Sequence, residues 1–349
     1  TVNYLKSIYF DYPQWTPFQV ELMPATWMKY RRDLEEIVLA HPRVFPGYTK
    51  GSLDFDFTNT LPPLYEPGRH TDCWGTVWEN VERGLASYPI AYPLENWTDL
   101  ARFHQPDPLK ENLFGPWDWD QISREFQNAL KNGNLATARG LPHGFMYMRL
   151  YYLRRFENLM MDMAMDEPRL QDLISIIENY NQTIINKYLR LGAEMLDLGD
   201  DLGLQHGLPV SPQMWCKFIK PSYSRMLAQC REKQIPVRLH TDGHILEIIP
   251  DLIEAGVTLL NPQFRANGLP GLKEMALGRV ALHLDLDRQF FPFASPSEIE
   301  EHIGSVFETI FRPEGGLMIY AECEPDVPLE NIDAICTQLE IFCNPPSAQ

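Results

Sequence analysis

Val237-Arg238-Leu239-His240-Thr241-Asp242-Gly243 is a short β-rich run that follows a basic turn (Arg231, Lys233) and opens just after Pro236. Residues at i and i+2 of a strand point to the same side, so His240 and Asp242 are expected on one face, with Gly243 ending the run. Around it the chain alternates between short apolar runs and longer helical patterns. Upstream, Met195 to Gly199 reads as a strand and Pro212 to Lys233 as a helix adjusted at Pro221. Downstream, strands at Thr258–Asn261, Val280–Leu284 and Leu317–Ala321 are separated by helices at His244–Glu254, Gly271–Ala276 and Pro296–Phe311. Leu329 to Phe342 closes the series as a helix. Strands spaced by helices in this way predict parallel βαβ units. Earlier strands at Pro17–Met23 and Ala136–Ala138 bring the candidates to at least seven, with no dinucleotide-type glycine turn. The expected fold is therefore α/β, a (β/α)8 TIM barrel, with a doubly wound sheet as the alternative.

The N-terminal part reads differently. Residues 1–16 predict an aromatic arm, and Thr26 caps a helix over Trp27–Ala40 that stops before His41-Pro42. Residues 41–110 are rich in Pro and Gly and predict long loops around Asp72-Cys73-Trp74-Gly75-Thr76-Val77-Trp78-Glu79. A connection of that length inside a compact domain calls for a function, and a lid or pocket wall is expected. Plain packing of Trp74 and Trp78 is the competing expectation. Short helices are expected at Asn96–Phe103 and Trp117–Lys131. Buried helices should fill Leu141–Asp166, where Arg149 is embedded, and a long amphipathic one should run from Pro168 to a C-cap at Gly192. The expected organisation is one domain over 1–349, with 1–135 forming an arm and lid over the barrel mouth.

The 349 residues carry a formal charge of -17, with 47 acidic and 30 basic side chains and no basic run. That argues against nucleic acid or an anionic membrane surface as partner. The six cysteines form no C-x-x-C pair and no disulfide-like spacing. No apolar h-region and no apolar run long enough for a membrane span is present. A reduced, cytoplasmic, soluble protein is expected.

In a parallel barrel the chemistry collects on the loops after the strands. Those positions hold Asp200, Asp201, Gln205 and His206, then His240, Thr241 and Asp242, then Asn261 and Gln263. Further strand ends hold His283, Asp285, Asp287, Arg288 and Gln289, then Glu322, Cys323 and Glu324. His240, Asp242, Asp200 and Asp201 are the candidate catalytic residues. Gln205, His206, Trp74, Asn261, His283, Asp287 and Arg149 are the candidate contacts to substrate or cofactor. His240, Asp242 and either Glu322 or Cys323 form a candidate metal set, since zinc accepts imidazole, carboxylate and thiolate. The same residues also suit acid–base chemistry without a metal. Spacing alone leaves both open.

Several of these segments together resemble the uroporphyrinogen decarboxylase-like superfamily, which includes corrinoid-dependent methyltransferase subunits. They are Gly199-Asp200-Asp201-Leu202-Gly203, Val210-Ser211-Pro212, Ile219-Lys220-Pro221, His240-Thr241-Asp242-Gly243, Leu260-Asn261-Pro262, Leu286-Asp287-Arg288-Gln289 and Pro328-Leu329-Glu330-Asn331. The resemblance implies a barrel with its site at the C-terminal mouth. Two departures shape the expected activity. Residues 1–30 contain Lys6 and Lys29 but no Arg, whereas the decarboxylases of this superfamily grip the acidic tetrapyrrole with an N-terminal arginine motif. Asp242 stands where the zinc-thiol methyltransferases carry Cys. The chain is thus similar to the methyltransferase branch. The resemblance implies transfer of a methyl group between a small substrate, methoxylated or a methylated amine, and a corrinoid on a partner protein, with zinc as a second cofactor. The alternatives are a metal-independent decarboxylase of a small carboxylic acid on the same barrel and, from another class, a non-catalytic binding subunit.

Overall fold

The computed structural model describes residues 2–58, 60–113, 115–139, 141 and 144–343. Strands are numbered in chain order. β1 (Phe18–Leu22), β7 (Thr137–Ala138), β8 (Met195–Gly199), β9 (Val237–Thr241), β10 (Leu259–Pro262), β11 (Ala281–Asp285) and β12 (Leu317–Cys323) form one sheet. Its order is β1-β12-β11-β10-β9-β8-β7. β2 (Gly68–Thr71), β3 (Val77–Asn80) and β4 (Tyr88–Ala91) form a three-stranded sheet, and β5 (Glu111–Asn112) with β6 (Gly115–Pro116) a two-stranded one. The α/β class and all seven strands expected of the large sheet are present, with bounds shifted by no more than two residues. The pairing that would close a barrel is not among the described residues.

The chain divides into two compact units, the first comprising Gly68–Glu79 and Ser87–Leu260, the second Val2–Pro67, Asn80–Ala86 and Asn261 onward. In the first, β7, β8 and β9 run parallel, with Leu196 opposite Val237 and Gly199 opposite His240. β8 is buried at four of its five residues. Burial on both faces is what a parallel strand under helices requires, and it leaves the apolar runs seen in the sequence. The helix Pro168–Leu191 buries Leu170, Leu173, Ile174, Ile177, Ile184 and Ile185 at helical spacing. Gly192 ends it at φ 92, and the N–H of Ala193 reaches back to the Tyr188 carbonyl at 3.1 Å.

The helix expected over Pro212–Lys233 is broken. Pro212–Met214 leads into a π-helical turn at Trp215–Ile219, then Lys220–Met226 and Ala228–Glu232. Pro221 has no N–H for the ladder, and a wider turn just before it absorbs the mismatch.

The loops expected over residues 41–110 contain the β2–β4 sheet, which is a correction. Gly-Arg-His-Thr and Tyr-Pro-Ile-Ala lack strand-like alternation, and a side chain holds the turn between β2 and β3. Asp72 Oδ1 accepts the N–H groups of Trp74 and Thr76, both at 2.9 Å, and Gly75 takes φ +88 at the turn. Trp74 and Trp78 are 2% and 4% exposed, so both pack into this unit.

In the second unit β1, β12 and β11 run parallel, with Glu21 opposite Glu322 and Asp285 opposite Tyr320. The N-terminal arm is in fact helical over Val2–Ile8, anchored where the Ser7 hydroxyl donates to the Leu317 carbonyl at 3.0 Å. The helix Pro296–Ile310 begins with a capping box between Ser295 and Glu298. Among the described residues no helix is long and apolar enough to cross a membrane, and all six cysteines are free.

Candidate active site at the ends of β8 and β9

β9 alternates buried and half-buried residues, which puts Arg238 and His240 on the face opposite Val237, Leu239 and Thr241. Asp242 continues that face, and its Oδ1 lies 3.3 Å from His240 Nε2. The backbone N–H of Asp242 donates to Asp201 Oδ1 at 3.0 Å. Asp201, His240 and Asp242 each offer a ligand atom, all within 4.8 Å of one another, and each residue is half-buried.

Two glycines hold these loops together. A Cβ on Gly243 would stand 2.2 Å from the Gly203 carbonyl carbon, and one on Gly203 would stand 2.5 Å from the His244 nitrogen. Backbone contact this close lets Gly203 donate to the Asp242 carbonyl at 3.2 Å and His244 to the Leu204 carbonyl at 2.8 Å. Inside it, the Leu202 N–H reaches the buried Thr241 hydroxyl at 3.0 Å. The trio therefore rests on fixed backbone.

Its donors are one imidazole and two carboxylates, with no sulfur. That chemistry fits a divalent cation that accepts nitrogen and oxygen, and bonds of about 2.0–2.2 Å would draw the set slightly inward. The third donor at this place is Asp201. Asp200, next in the chain, points elsewhere: it is wholly buried and accepts the N–H groups of Met146, Tyr147 and Met148 at 2.8–3.0 Å and the Tyr223 hydroxyl at 2.7 Å. Burial pushes its pKa up and the four donors oppose that rise. Its carboxylate holds the start of the helix Tyr147–Arg154.

Of the other expected contacts in this unit, Gln205 and His206 lie exposed in the turn closed by the Leu204 N–H on the Gly207 carbonyl at 2.7 Å. Trp74 packs edge-on against Tyr180 at 4.8 Å, with the Arg149 guanidinium 5.3 Å from its ring. Arg149 is 1% exposed and pairs with Asp72 at 3.4 Å.

The second unit has its own polar strand ends. His283 is buried edge-on to Tyr320 at 5.5 Å, and its carbonyl accepts from Asn261 Nδ2. Asp287 is held by Arg265 through two contacts of 2.8 Å. Glu322 accepts from Arg288 and, at 3.0 Å, from the Tyr320 hydroxyl, while Cys323 is buried with its thiol pushed up by burial. Glu324, just beyond the end of β12, is pushed up to about 7 by burial and then by Glu322, with Arg288 opposing. In the unfolded chain it titrates near the ordinary Glu value of about 4.3. Between the two values the folded state binds the extra proton, so Glu324's contribution is complete below the unfolded value and is lost as pH rises through about 7. Melting temperatures measured from pH 4 to 8 should fall across that window in the wild type, and Glu324→Gln should remove that component. Parallel curves for the two proteins would refute this.

Comparison with known proteins gives the family. Over nearly its whole length the chain superimposes on a methyltransferase from Methanosarcina mazei (13% identity, 97% of this chain, 98% of that one, TM-score 0.60), so the two share a fold. Partial overlaps occur with dihydropteroate synthase from Xanthomonas albilineans, one at 19% identity over 42% of this chain and 57% of that one with a TM-score of 0.29. No curated protein matches. The model of the family described as uroporphyrinogen decarboxylase (URO-D) matches residues 146–340, more than half of the chain and the whole of both loops that carry Asp201, His240 and Asp242. The chain belongs to the uroporphyrinogen decarboxylase (URO-D) family.

Proposed function

We propose that the protein is an enzyme that takes a methyl group from a small methylated substrate and passes it to a corrinoid, presented as second substrate by a partner protein. The observation that carries this is the convergence of Asp201, His240 and Asp242 at the ends of two adjacent parallel strands, the position where such folds keep their chemistry. The fold shared with the Methanosarcina mazei methyltransferase supports it. A closed (β/α)8 barrel belongs to the same proposal, as does an intracellular, reducing setting, which six free cysteines suit.

A methyl ether or amine leaves poorly unless its heteroatom is activated. Asp201, His240 and Asp242 would hold a zinc or similar divalent ion, which when bound supplies Lewis acidity at that heteroatom. The chain's own part is to fix these donors through the Gly203–Gly243 contact and the Asp242 N–H. It also keeps Asp200 out of the set by spending it on the helix start.

Metal analysis of the purified protein with a corrinoid assay tests this. About one ion per chain is expected in the wild type. His240→Ala should lose the ion and slow methylation of cob(I)alamin by at least about 100-fold. A wild type without stoichiometric metal, together with an active His240→Ala, would sink the role given to these residues. Release of CO2 from a carboxylic acid without corrinoid would point to decarboxylation.

A further inference from the structure

Three donors meet where β8 and β9 end, and none is sulfur. Asp201, His240 and Asp242 bring their ligand atoms within 4.8 Å of one another, and among the described residues no further His, Cys, Asp or Glu joins them. Glu322 and Cys323 are committed within the second unit. Glu322 gives one oxygen to Arg288 and the other to the Tyr320 hydroxyl, and Cys323 is wholly buried.

The three donors sit on one side of the space they share. His240 Nε2 and Asp242 Oδ1 are 3.3 Å apart. Donors on opposite sides of an ion with bonds of about 2.0–2.2 Å stand about 4 Å apart or more, so these two are neighbours around it. Asp201 is tied beside them, because its Oδ1 takes the Asp242 N–H at 3.0 Å. Strand alternation turns Thr241 to the opposite face, where it is wholly buried and holds the Leu202 N–H. On the donors' own face, the side chains of His240 and Asp242 keep 23% and 36% exposure. An ion held here is gripped from the protein side and bare toward solvent.

Donor type decides how many other partners such an ion keeps. Thiolates draw zinc into closed four-coordinate sets, whereas carboxylate oxygen with imidazole suits ions and geometries that leave several positions open.

We propose that Asp201, His240 and Asp242 make an open site: they grip a divalent ion from one side and leave at least two neighbouring positions, which a ligand with donors on two adjacent atoms fills together. This rests on the metal role of the trio in the function proposed above and gives the small substrate a second anchor. Its methylated heteroatom takes one open position, and a second donor on the adjacent atom takes the other. Two bonds to one ion fix the substrate's orientation, so the methyl group is held in one direction for transfer.

The whole protein loaded with Co2+ and freed of unbound ion supplies the test, since the visible absorbance of this ion reports its coordination. The bands should be weak, as for an ion with more than four ligands. Acetohydroxamate, which carries oxygens on adjacent carbon and nitrogen, should shift them and bind at least about 100-fold more tightly than acetamide, which has one oxygen. Asp242→Cys supplies a thiolate, and it should intensify the bands and cut that preference at least about 10-fold. Circular dichroism checks that this variant is folded, and the wild-type comparison decides by itself if it is not. Equal binding of acetohydroxamate and acetamide, or strong four-coordinate bands that acetohydroxamate leaves unchanged, overturns the open site and leaves the metal role standing. A wild type that takes up no stoichiometric cobalt overturns the metal role and the open site with it.

Discussion

Gly243→Ala should cost about 3–5 kcal/mol of stability, enough to leave much of the protein unfolded or insoluble. Two effects add. Gly243 has φ +82, a conformation that costs an L-residue about 1–2 kcal/mol. Its new Cβ would also meet the Gly203 carbonyl carbon at 2.2 Å and the carbonyl oxygen at 2.3 Å, atoms of a backbone that cannot swing aside as a side chain would. Relief requires the β8 and β9 loops to part, which breaks the Gly203–Asp242 and His244–Leu204 hydrogen bonds. Asp201 and Asp242 would then separate, and whatever folded protein survives should bind divalent metal weakly. Gly192→Ala is the control: it shares a positive φ, 92, but a Cβ there meets nothing within 4 Å. It should lose only about 1–2 kcal/mol. Chemical denaturation of the two variants separates strain from collision. Equal losses would mean that the contact between the loops is softer than its geometry implies.

The large sheet was legible in the sequence because parallel strands buried on both faces leave short apolar runs, as at Met195–Gly199 and Leu317–Cys323, and helices must separate them. The β2–β4 sheet was not legible. The turn between its first two strands is held by one carboxylate, Asp72, that accepts four donors, and nothing in Gly-Arg-His-Thr announces a strand. The N-terminal helix was hidden for a related reason: Val2–Ile8 is short, and tertiary contacts such as Ser7 to Leu317 hold it.

The site was legible as far as local geometry reaches. His240 and Asp242 share a face because strand alternation dictates it. The pair Asp200-Asp201 shows where that ends. Adjacent residues diverge, and sequence cannot say which acid turns toward the helix start and which toward His240. Glu324 was one of three polar residues ending β12; burial, which spacing does not encode, distinguishes it.

Asp200→Ala should be as damaging as the glycine change, by a different route. A carboxylate taken wholly out of water costs several kcal/mol, and Asp200 offsets that with three peptide N–H groups, one phenol and the positive end of the helix Tyr147–Arg154. Removing it strands four buried donors at once. The expected loss is about 3–5 kcal/mol in denaturant unfolding. Tyr223→Phe removes one of the four bonds, the 2.7 Å contact to Oδ2, and should cost about 1.5–3 kcal/mol because the acceptor is charged. Asp200→Asn keeps the shape but turns an amide N–H2 toward groups that also donate, so its loss should fall between the two. If Asp200→Asn matches wild type within about 0.5 kcal/mol, the charge does no anchoring and the four contacts are incidental. The consequence for the site follows from chain geometry. Asp200 fixes the peptide that aims Asp201, so Asp200→Asn should weaken divalent-metal binding even where the protein remains folded, while Tyr223→Phe, which leaves the three backbone contacts intact, should change it little.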